Sequence, residues 1–234
     1  MPARAAKAAS ERKTASAMPD DLNAYRAFVD AAVRRYAAVG VHEYAVENEP
    51  NAANFWQGNP EQRKRLVVEA AAAIREADPK ALVVDPGISS TAYGAAIAKR
   101  LLDKGHPEEA VAAYQRYYAR RFPVRGRKLP QVSDEAGLRA ALDGEQARGD
   151  LAYLQLADRL AAAKVVDVRQ LHFYEPWDNV PALVDYLGAT LAAGFPVQAW
   201  EVGVFWVGGP ADPRPGPERP SRWWRCCWPA ECSG

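Results

Sequence analysis

The chain alternates between longer segments with apolar residues every three or four positions and short segments that are apolar throughout. The helical period is clearest in residues 60–77 and 180–193. The short apolar runs have the length and composition of buried strands. They occupy residues 41–46, 81–84, 165–173 and 197–200. Helices that alternate with buried strands predict a parallel sheet built from strand–helix units.

Two further segments complete the predicted pattern. A first helix is predicted to begin near Pro19 and to end at Gly40. Residues 91–164 contain several helical stretches where one strand–helix unit needs a single helix, so they predict a helical insertion on the face that carries the strand ends. These stretches are residues 93–102, 107–121, 135–142 and 149–163.

Polar side chains follow the predicted strands at their carboxyl ends. Glu49 follows the first, Asp85 the second, His172 ends the third, and Glu201 follows the fourth. In a (β/α)₈ barrel the active site lies at this end of the strands. An open doubly wound sheet needs the same alternation. Its nucleotide-binding version is disfavoured, because no glycine-rich phosphate loop follows any strand.

Composition narrows the classes of partner. Nearly half of the 234 residues are apolar, a quarter are charged, and the net charge is +1, which is typical of a globular domain and gives no indication of a nucleic-acid partner. No apolar run approaches the roughly 20 residues of a membrane span. Residues 1–18 lack the continuous apolar stretch of a signal peptide, so they predict a disordered lead-in and a cytoplasmic location by default.

The cysteines do not contribute to the predicted fold. All three lie in the last nine residues, so the body of the chain has no thiol for a disulfide or a nucleophile. No pair of His or Cys residues has metal-ligand spacing, and neither a metal nor a cofactor is expected. Residues 210–234 are rich in Pro, Arg, Trp and Cys without any period, which predicts a disordered tail, or one translated outside the original reading frame.

Glu49 and Glu201 are a candidate catalytic pair. Cleavage of a glycosidic bond needs two carboxyl groups, one to protonate the leaving oxygen and one to act at the anomeric carbon. In retaining enzymes the two groups lie about 5–5.5 Å apart. Two glutamates at the ends of different strands of one barrel meet this need, because the mouth of the barrel brings distant positions together.

Three motifs in order resemble clan A (β/α)₈-barrel glycoside hydrolases, and they are most similar to family 39-like and related family 5-like enzymes. The first reads Tyr44-Ala45-Val46-Glu47-Asn48-Glu49-Pro50-Asn51, followed by Asn54-Phe55-Trp56. The second is Leu171-His172-Phe173-Tyr174, and the third is Gln198-Ala199-Trp200-Glu201-Val202-Gly203. The resemblance covers residues 20–206 and implies a retaining enzyme that acts on β-linked sugars of an oligo- or polysaccharide.

The resemblance also implies roles. Glu49 corresponds to the acid/base and Glu201 to the nucleophile, while Asn48 contacts the sugar 2-hydroxyl. Tyr174 hydrogen-bonds the nucleophile, and His172 lies beside it at the active site. Aromatic side chains stack on sugar rings, and the candidates for this role are Trp56, Trp177 and Trp206.

The chain departs from the resemblance in the strands it contains. The four predicted strands correspond to strands four to seven of a barrel, so residues 19–209 predict an incomplete barrel whose open edges favour self-association. This leaves open a non-catalytic remnant or a carbohydrate-binding protein. A barrel aldolase or isomerase is disfavoured, because no Schiff-base lysine or metal cluster follows a strand. Glu175 is a competing nucleophile, and Glu47 is predicted to be structural.

Overall fold

The computed structural model describes residues 15–122 and 129–203, which form a mixed α/β structure with seven α-helices and four short parallel strands. All of them belong to one compact unit. In chain order the elements are α1 (Leu22–Ala37), β1 (Glu43–Ala45), α2 (Pro60–Ala77), β2 (Leu82–Val84), α3 (Thr91–Asp103), α4 (Pro107–Tyr118), α5 (Glu135–Leu142), α6 (Glu145–Ala162), β3 (Arg169–Phe173), α7 (Val180–Thr190) and β4 (Val197–Val202). A 3₁₀ turn, Trp177–Asn179, precedes α7.

The strands lie side by side in chain order. β1 pairs with β2 and β3 pairs with β4, all in parallel. Isolated bridges join β2 to β3, with Val84 opposite Val168, and the backbone N–H of Asp85 donates to the Val168 carbonyl at 2.9 Å. The carboxyl ends of all four strands therefore meet at one edge. The strands of the described residues do not close into a barrel.

Burial differs along this row of strands. β3 is buried over most of its length. β4 is half-exposed or exposed throughout, including Trp200 and Val202. On β2, Val83 and Val84 are buried while Leu82 is exposed. The strand that carries Glu201 is thus the least enclosed of the strands that contribute to the candidate site.

The helices begin where the sequence offers good caps. Asn59 caps α2, because its side chain accepts from Gln62 N–H while the Gln62 side chain accepts from Asn59 N–H, and Pro60 occupies the first turn. Asp21 caps α1 and Asp134 caps α5, each with a side-chain oxygen that accepts from backbone N–H groups of the first turn. These caps explain why the predicted helix starts agree with the structure to within a few residues.

The hydrophobic core consists of two clusters. One surrounds the insertion helices α3 and α4, where Tyr114 and Tyr118 pack edge to face with ring centroids 4.7 Å apart. Gly94 on α3 permits α4 to approach closely, because a Cβ there would lie 2.4 Å from the Tyr117 ring. The other cluster packs α1 and α2 on the sheet around Val33, Leu156 and their neighbours.

Most predicted elements form, with two corrections. The predicted insertion contains the four expected helices, although α6 begins at Glu145. The disordered lead-in is wrong for residues 15–18, because Ser16 forms a bridge with Trp56 and its N–H donates to Phe55 at 2.8 Å. Residues 1–14, the basic turn at 123–128 and the predicted tail at 210–234 lie outside the described residues. Among the helices that are described, none has the length and apolar character needed to cross a membrane.

Candidate active site

Glu49 lies on a backbone segment of unusual conformation directly after β1. Glu47 and Glu49 have φ angles of 72° and 38°, in the left-handed region that non-glycine residues seldom adopt. Each such residue costs on the order of 1–3 kcal/mol and persists only where surrounding contacts enforce it. This strain makes the segment a candidate functional site.

Contacts from three directions hold the segment in place. The buried guanidinium of Arg63 on α2 donates to the Val46 carbonyl, and the Ser16 hydroxyl donates to Glu47 Oε2 at 2.6 Å. Burial lowers the pKa of Arg63 to about 10, so it remains a cation at neutral pH. The N–H of Glu49 faces the Pro86 carbonyl at 3.4 Å. Because these contacts fix the backbone of the segment, they also fix the direction in which the Glu49 side chain leaves it.

Asn51 ties the same segment to the insertion. Its amide donates to Asp150 Oδ1 on α6 at 2.7 Å, and its oxygen accepts from Ser89 N–H at 2.9 Å. The Gln146 amide donates to the other Asp150 oxygen at 3.1 Å. Burial raises the pKa of Asp150 to about 6, although these two hydrogen bonds oppose the shift. The insertion therefore contributes directly to the position of the Glu49 segment.

His172, at the end of β3, is the centre of the site. Its side chain is fully buried, and its Nδ1 lies 3.1 Å from Glu49 Oε1 and 3.3 Å from Glu201 Oε2. Its Nε2 contacts Gln170 Oε1. One imidazole thus joins two carboxylates that are separated by 152 positions (201 − 49) along the chain.

Glu201 reaches this position because of a bulge between β3 and β4. Leu171 pairs with Ala199, but His172 pairs with Glu201, so Trp200 is an extra residue on β4. Side chains alternate between the faces of a strand, and paired residues on neighbouring strands share a face. If the regular register continued from the Leu171–Ala199 pair, His172 would pair with Trp200, and Glu201 would lie on the opposite face. The bulge instead places the Glu201 carboxylate beside His172.

Tyr174 contacts Glu201 as expected from the sequence. Its hydroxyl donates to Glu201 Oε2 at 2.9 Å, which confirms the predicted hydrogen bond. Desolvation, followed by that hydrogen bond, raises the pKa of Tyr174 to about 12. Tyr174 therefore stays a proton donor throughout the neutral range and holds the Glu201 carboxylate in one orientation.

The spacing of the carboxylates is short. One side-chain atom each from Glu49, His172 and Glu201 lies within 4.8 Å of the other two. Carboxyl groups of inverting glycosidases are about 6.5–9.5 Å apart, against about 5–5.5 Å in retaining ones. The Glu49 side chain is 13% exposed and that of Glu201 is 40% exposed, so a substrate can reach both.

The same three atoms could also hold a divalent cation. Two carboxylate oxygens and one imidazole nitrogen form a ligand set that several such ions accept. The sequence predicted no metal site from the spacing of His and Cys residues, but residues from three different strand ends converge only in the folded chain. The sequence pattern therefore did not indicate that these three residues could bind a cation.

The predicted sugar-stacking residues differ in position. Trp56 is wrong as a stacking platform, because it is 2% exposed and packs in the core against Arg63, whose guanidinium carbon lies 5.7 Å from its ring centroid. Trp177 is 65% exposed and follows β3 directly, so it stays a candidate. Asn48 is half-buried beside Glu49, and Trp206 lies outside the described residues.

Glu175 occupies a separate structural cluster. It is buried, and both of its oxygens accept from the Arg121 guanidinium, while the Ser90 hydroxyl donates to Oε1 at 2.7 Å. These contacts tie the end of β3 to α3 and to the residues after α4. The competing nucleophile is thus ion-paired within the fold, and the cluster around His172 does not include it.

A second ion cluster lies at the start of β3. Arg169 at the start of β3 is fully buried, with its Nη2 2.6 Å from Asp158 on α6 and its Nε 3.6 Å from Asp85. Asp85 in turn accepts from Gly87 N–H at 2.9 Å. Arg169 therefore joins β2, β3 and α6, and it compensates the buried carboxylate of Asp85 and the partly buried one of Asp158.

Two residues of the site were missed in the sequence. Gln170 lies two positions before His172 and so shares its face of β3, which is the signal that could have found it. Gly87 follows Asp-Pro with a φ of 70°, and a Cβ there would lie 2.3 Å from His172 Nε2. Its signal is a glycine directly after a strand end, where close approach of another group is common.

Comparison with known proteins adds no family to this geometry. The chain matches no protein-family model, no curated protein and no solved structure.

Proposed function

We propose that this protein is a retaining O-glycoside hydrolase that acts on β-linked sugars. One observation carries the proposal. Two glutamates from the ends of different parallel strands approach within 4.8 Å, both reachable by a substrate, with His172 between them and Tyr174 on Glu201. This separation fits a direct attack on the sugar better than the wider gap that accommodates a water.

The roles follow from the chemistry of a double displacement. A Glu201 oxygen attacks the anomeric carbon while Glu49 gives its proton to the leaving oxygen, so the glycosidic bond breaks and a glycosyl ester forms. Glu49 then removes a proton from water, whose oxygen attacks the same carbon and releases Glu201. Tyr174 keeps the Glu201 carboxylate oriented in both steps. The reaction needs no cofactor.

The proposal extends to the fold. Four parallel strands in chain order, with helices between them and polar residues at one end, have the arrangement of a contiguous part of a (β/α)₈ barrel. We assign β1 to β4 to strands four to seven of such a barrel. The buried inner strand and the exposed β4 agree with this assignment, because a contiguous part of a barrel has open sides.

A second candidate function is favoured by the His172 cluster itself. Two carboxylates and an imidazole within 4.8 Å are also a plausible cation site, so divalent-cation binding by Glu49, His172 and Glu201 is the alternative. The two functions differ in one respect that is easily measured. Glycoside hydrolysis by carboxylates continues in the presence of a chelator, whereas a cation-dependent activity stops.

The test is hydrolysis of a panel of aryl β-glycosides, in buffer with and without EDTA. Glu201→Gln should reduce turnover to background for every substrate. Glu49→Gln should reduce it by about 10²–10⁴-fold for phenyl glycosides, and less for dinitrophenyl glycosides, whose leaving group needs no proton in the first step. Glu43→Gln, an exposed glutamate on β1, is the matched control and should leave turnover unchanged.

The outcomes separate the candidates. Turnover that survives EDTA and disappears in Glu201→Gln supports the glycosidase. Binding of Zn²⁺ or Mn²⁺ that is abolished by Glu49→Gln and Glu201→Gln, without any hydrolysis, supports the cation site instead. A folded chain that binds an oligosaccharide but cleaves none of the panel would replace the enzyme with a carbohydrate-binding protein.

A further inference from the structure

Gln170 contacts the ring nitrogen of His172 that faces away from the carboxylates. The two residues occupy alternate positions of β3, so their side chains lie on the same face. Both are almost completely buried. His172 Nε2 contacts Gln170 Oε1, while Nδ1 faces Glu49 and Glu201. Whether Nε2 carries a hydrogen therefore determines whether the neutral ring presents a lone pair or an N–H at Nδ1 to the carboxylates.

The orientation of the Gln170 amide follows from its other partner. Its NH₂ group donates to the backbone carbonyl of Asp85 at 2.9 Å. A carbonyl oxygen can only accept, so the reversed amide would place two acceptors against each other. The Gln170 oxygen must then face His172. An amide oxygen also only accepts, and the hydrogen of this contact therefore belongs to His172 Nε2.

The imidazole of His172 is packed too closely to turn toward another hydrogen-bond partner. The loop after β2 packs against it, and a Cβ on Gly87 would lie 2.3 Å from Nε2. The His172 side chain is fully buried. The imidazole is thus held between Gly87, Gln170 and the two carboxylates.

We propose that Gln170 is a positioning residue that holds His172 in the form with hydrogen on Nε2, so that Nδ1 is the atom shared by Glu49 and Glu201. The catalytic meaning of this arrangement rests on the proposed function, but the arrangement itself does not. Because Nε2 already carries a hydrogen, a hydrogen bond across the 3.1 Å between Nδ1 and Glu49 needs one more proton.

The test is the ¹⁵N spectrum of the histidine side chains in the full chain. The chain has three histidines, and the partly exposed His42 and His106 can be replaced by Gln to assign His172. We expect a hydrogen-bearing Nε2 on His172 at neutral pH. Gln170→Met removes the acceptor and should transfer that hydrogen to Nδ1, where a carboxylate can accept it. Gln170→Glu keeps an acceptor and should restore the Nε2–H form.

The matched control is Gln198→Met, which makes the same change at the position paired with Gln170 on β4. It should leave the His172 spectrum unchanged. A wild-type His172 with no hydrogen on Nε2 overturns the proposal, and so does a Gln170→Met spectrum identical to the wild type. The wild-type spectrum alone decides the question if the Met variant does not fold.

Hydrolysis measured on the same samples separates this inference from the proposed function. The expected spectra without any hydrolysis support the role of Gln170 and reject the glycosidase. Hydrolysis by a chain whose His172 lacks the Nε2 hydrogen supports the glycosidase and rejects the role of Gln170. With both intact, Gln170→Met should lower kcat more than it changes KM, since Gln170 lies behind His172 and away from the substrate.

Discussion

The inner and outer sides of the candidate site are built differently. On the inner side, His172 is fully buried and is held by Gln170, by the Gly87 loop and by strands on both sides. On the outer side, Glu201 is 40% exposed on β4 and is placed by one bulge and by the hydroxyl of Tyr174. The packing contacts are thus concentrated behind His172, while the Glu201 carboxylate, which must meet the substrate, stays accessible.

The largest expected effect is the loss of stability when the ion cluster around Arg169, on the inner side, is broken. Arg169→Met leaves the buried carboxylate of Asp85 and the partly buried carboxylate of Asp158 without their shared partner, and breaking a buried pair costs about 3–5 kcal/mol. Urea unfolding should show this loss in the free energy of unfolding. Arg26→Met removes an arginine that pairs with Glu69 and Glu76 nearer the surface, and it should lower the free energy of unfolding far less than Arg169→Met does. Equal costs would contradict the difference in burial.

The next effect tests the close approach of the β2 loop to the imidazole. Gly87→Ala forces a Cβ toward His172 Nε2 and also strains a positive φ, so we expect a loss of about 2–3 kcal/mol. Gly105→Ala is the matched control, because it has a φ of 81° but no atom within 4 Å of the added Cβ. Gly105→Ala should cost only about 1 kcal/mol. Thermal or urea unfolding of both variants gives the comparison.

A smaller effect concerns the link between the insertion and the Glu49 segment. Burial raises the pKa of Asp150 to about 6 in the folded protein, against an ordinary value of 3.8 for an aspartate. The folded state therefore binds more protons than the unfolded state between these values, and stability falls as pH rises from about 4 to about 6. Above pH 6 the loss is at most about 3 kcal/mol, at about 1.4 kcal/mol for each pKa unit.

Asp150→Asn should remove this pH dependence. The lost hydrogen bond offsets part of the gain, so we expect a net stabilisation of about 1–2 kcal/mol at pH 7 and little or none at pH 4. Unfolding by urea at the two pH values measures the difference. A variant whose stability follows the wild type at both values would show that another group titrates in this range.

The smallest expected effect comes from removing the hydrogen bond between Tyr174 and Glu201 on the outer side. Tyr174→Phe removes the hydroxyl that donates to Glu201 Oε2 and leaves the ring in place, so stability should change by less than about 1 kcal/mol. If the proposed function is correct, turnover should fall by about tenfold, which corresponds to about 1.4 kcal/mol of transition-state stabilisation. Steady-state kinetics with the aryl glycosides provide the measurement, and an unchanged kcat would contradict the assigned role of Tyr174.

The sequence predicted the elements well because the signals for them are local. Asn59, Pro60 and Gln62 indicate the start of α2 from four consecutive positions. The motifs around Glu49, His172 and Glu201 likewise identified the residues that the structure brings together. The hydrogen bond of Tyr174 was predicted from the resemblance alone, and the structure contains it.

The remaining features depend on contacts between distant positions. Trp56 was taken as a sugar platform because it follows Glu49 closely, but only the fold shows that its ring is buried against Arg63. Ser16 was placed in a disordered segment because pairing with residues 55–57 has no local signal. The orientation of Gln170 is decided by a carbonyl 85 positions away.

The extra residue at Trp200 affects how the site can change during evolution. A substitution at position 200 alters one side chain but keeps the count of residues between Ala199 and Glu201. Deletion of that single codon would make the glutamate follow Ala199 directly, so it would still pair with His172, now in regular register and on the same face. We expect relatives of this protein that keep the glutamate to differ in whether they carry the extra residue between these two positions.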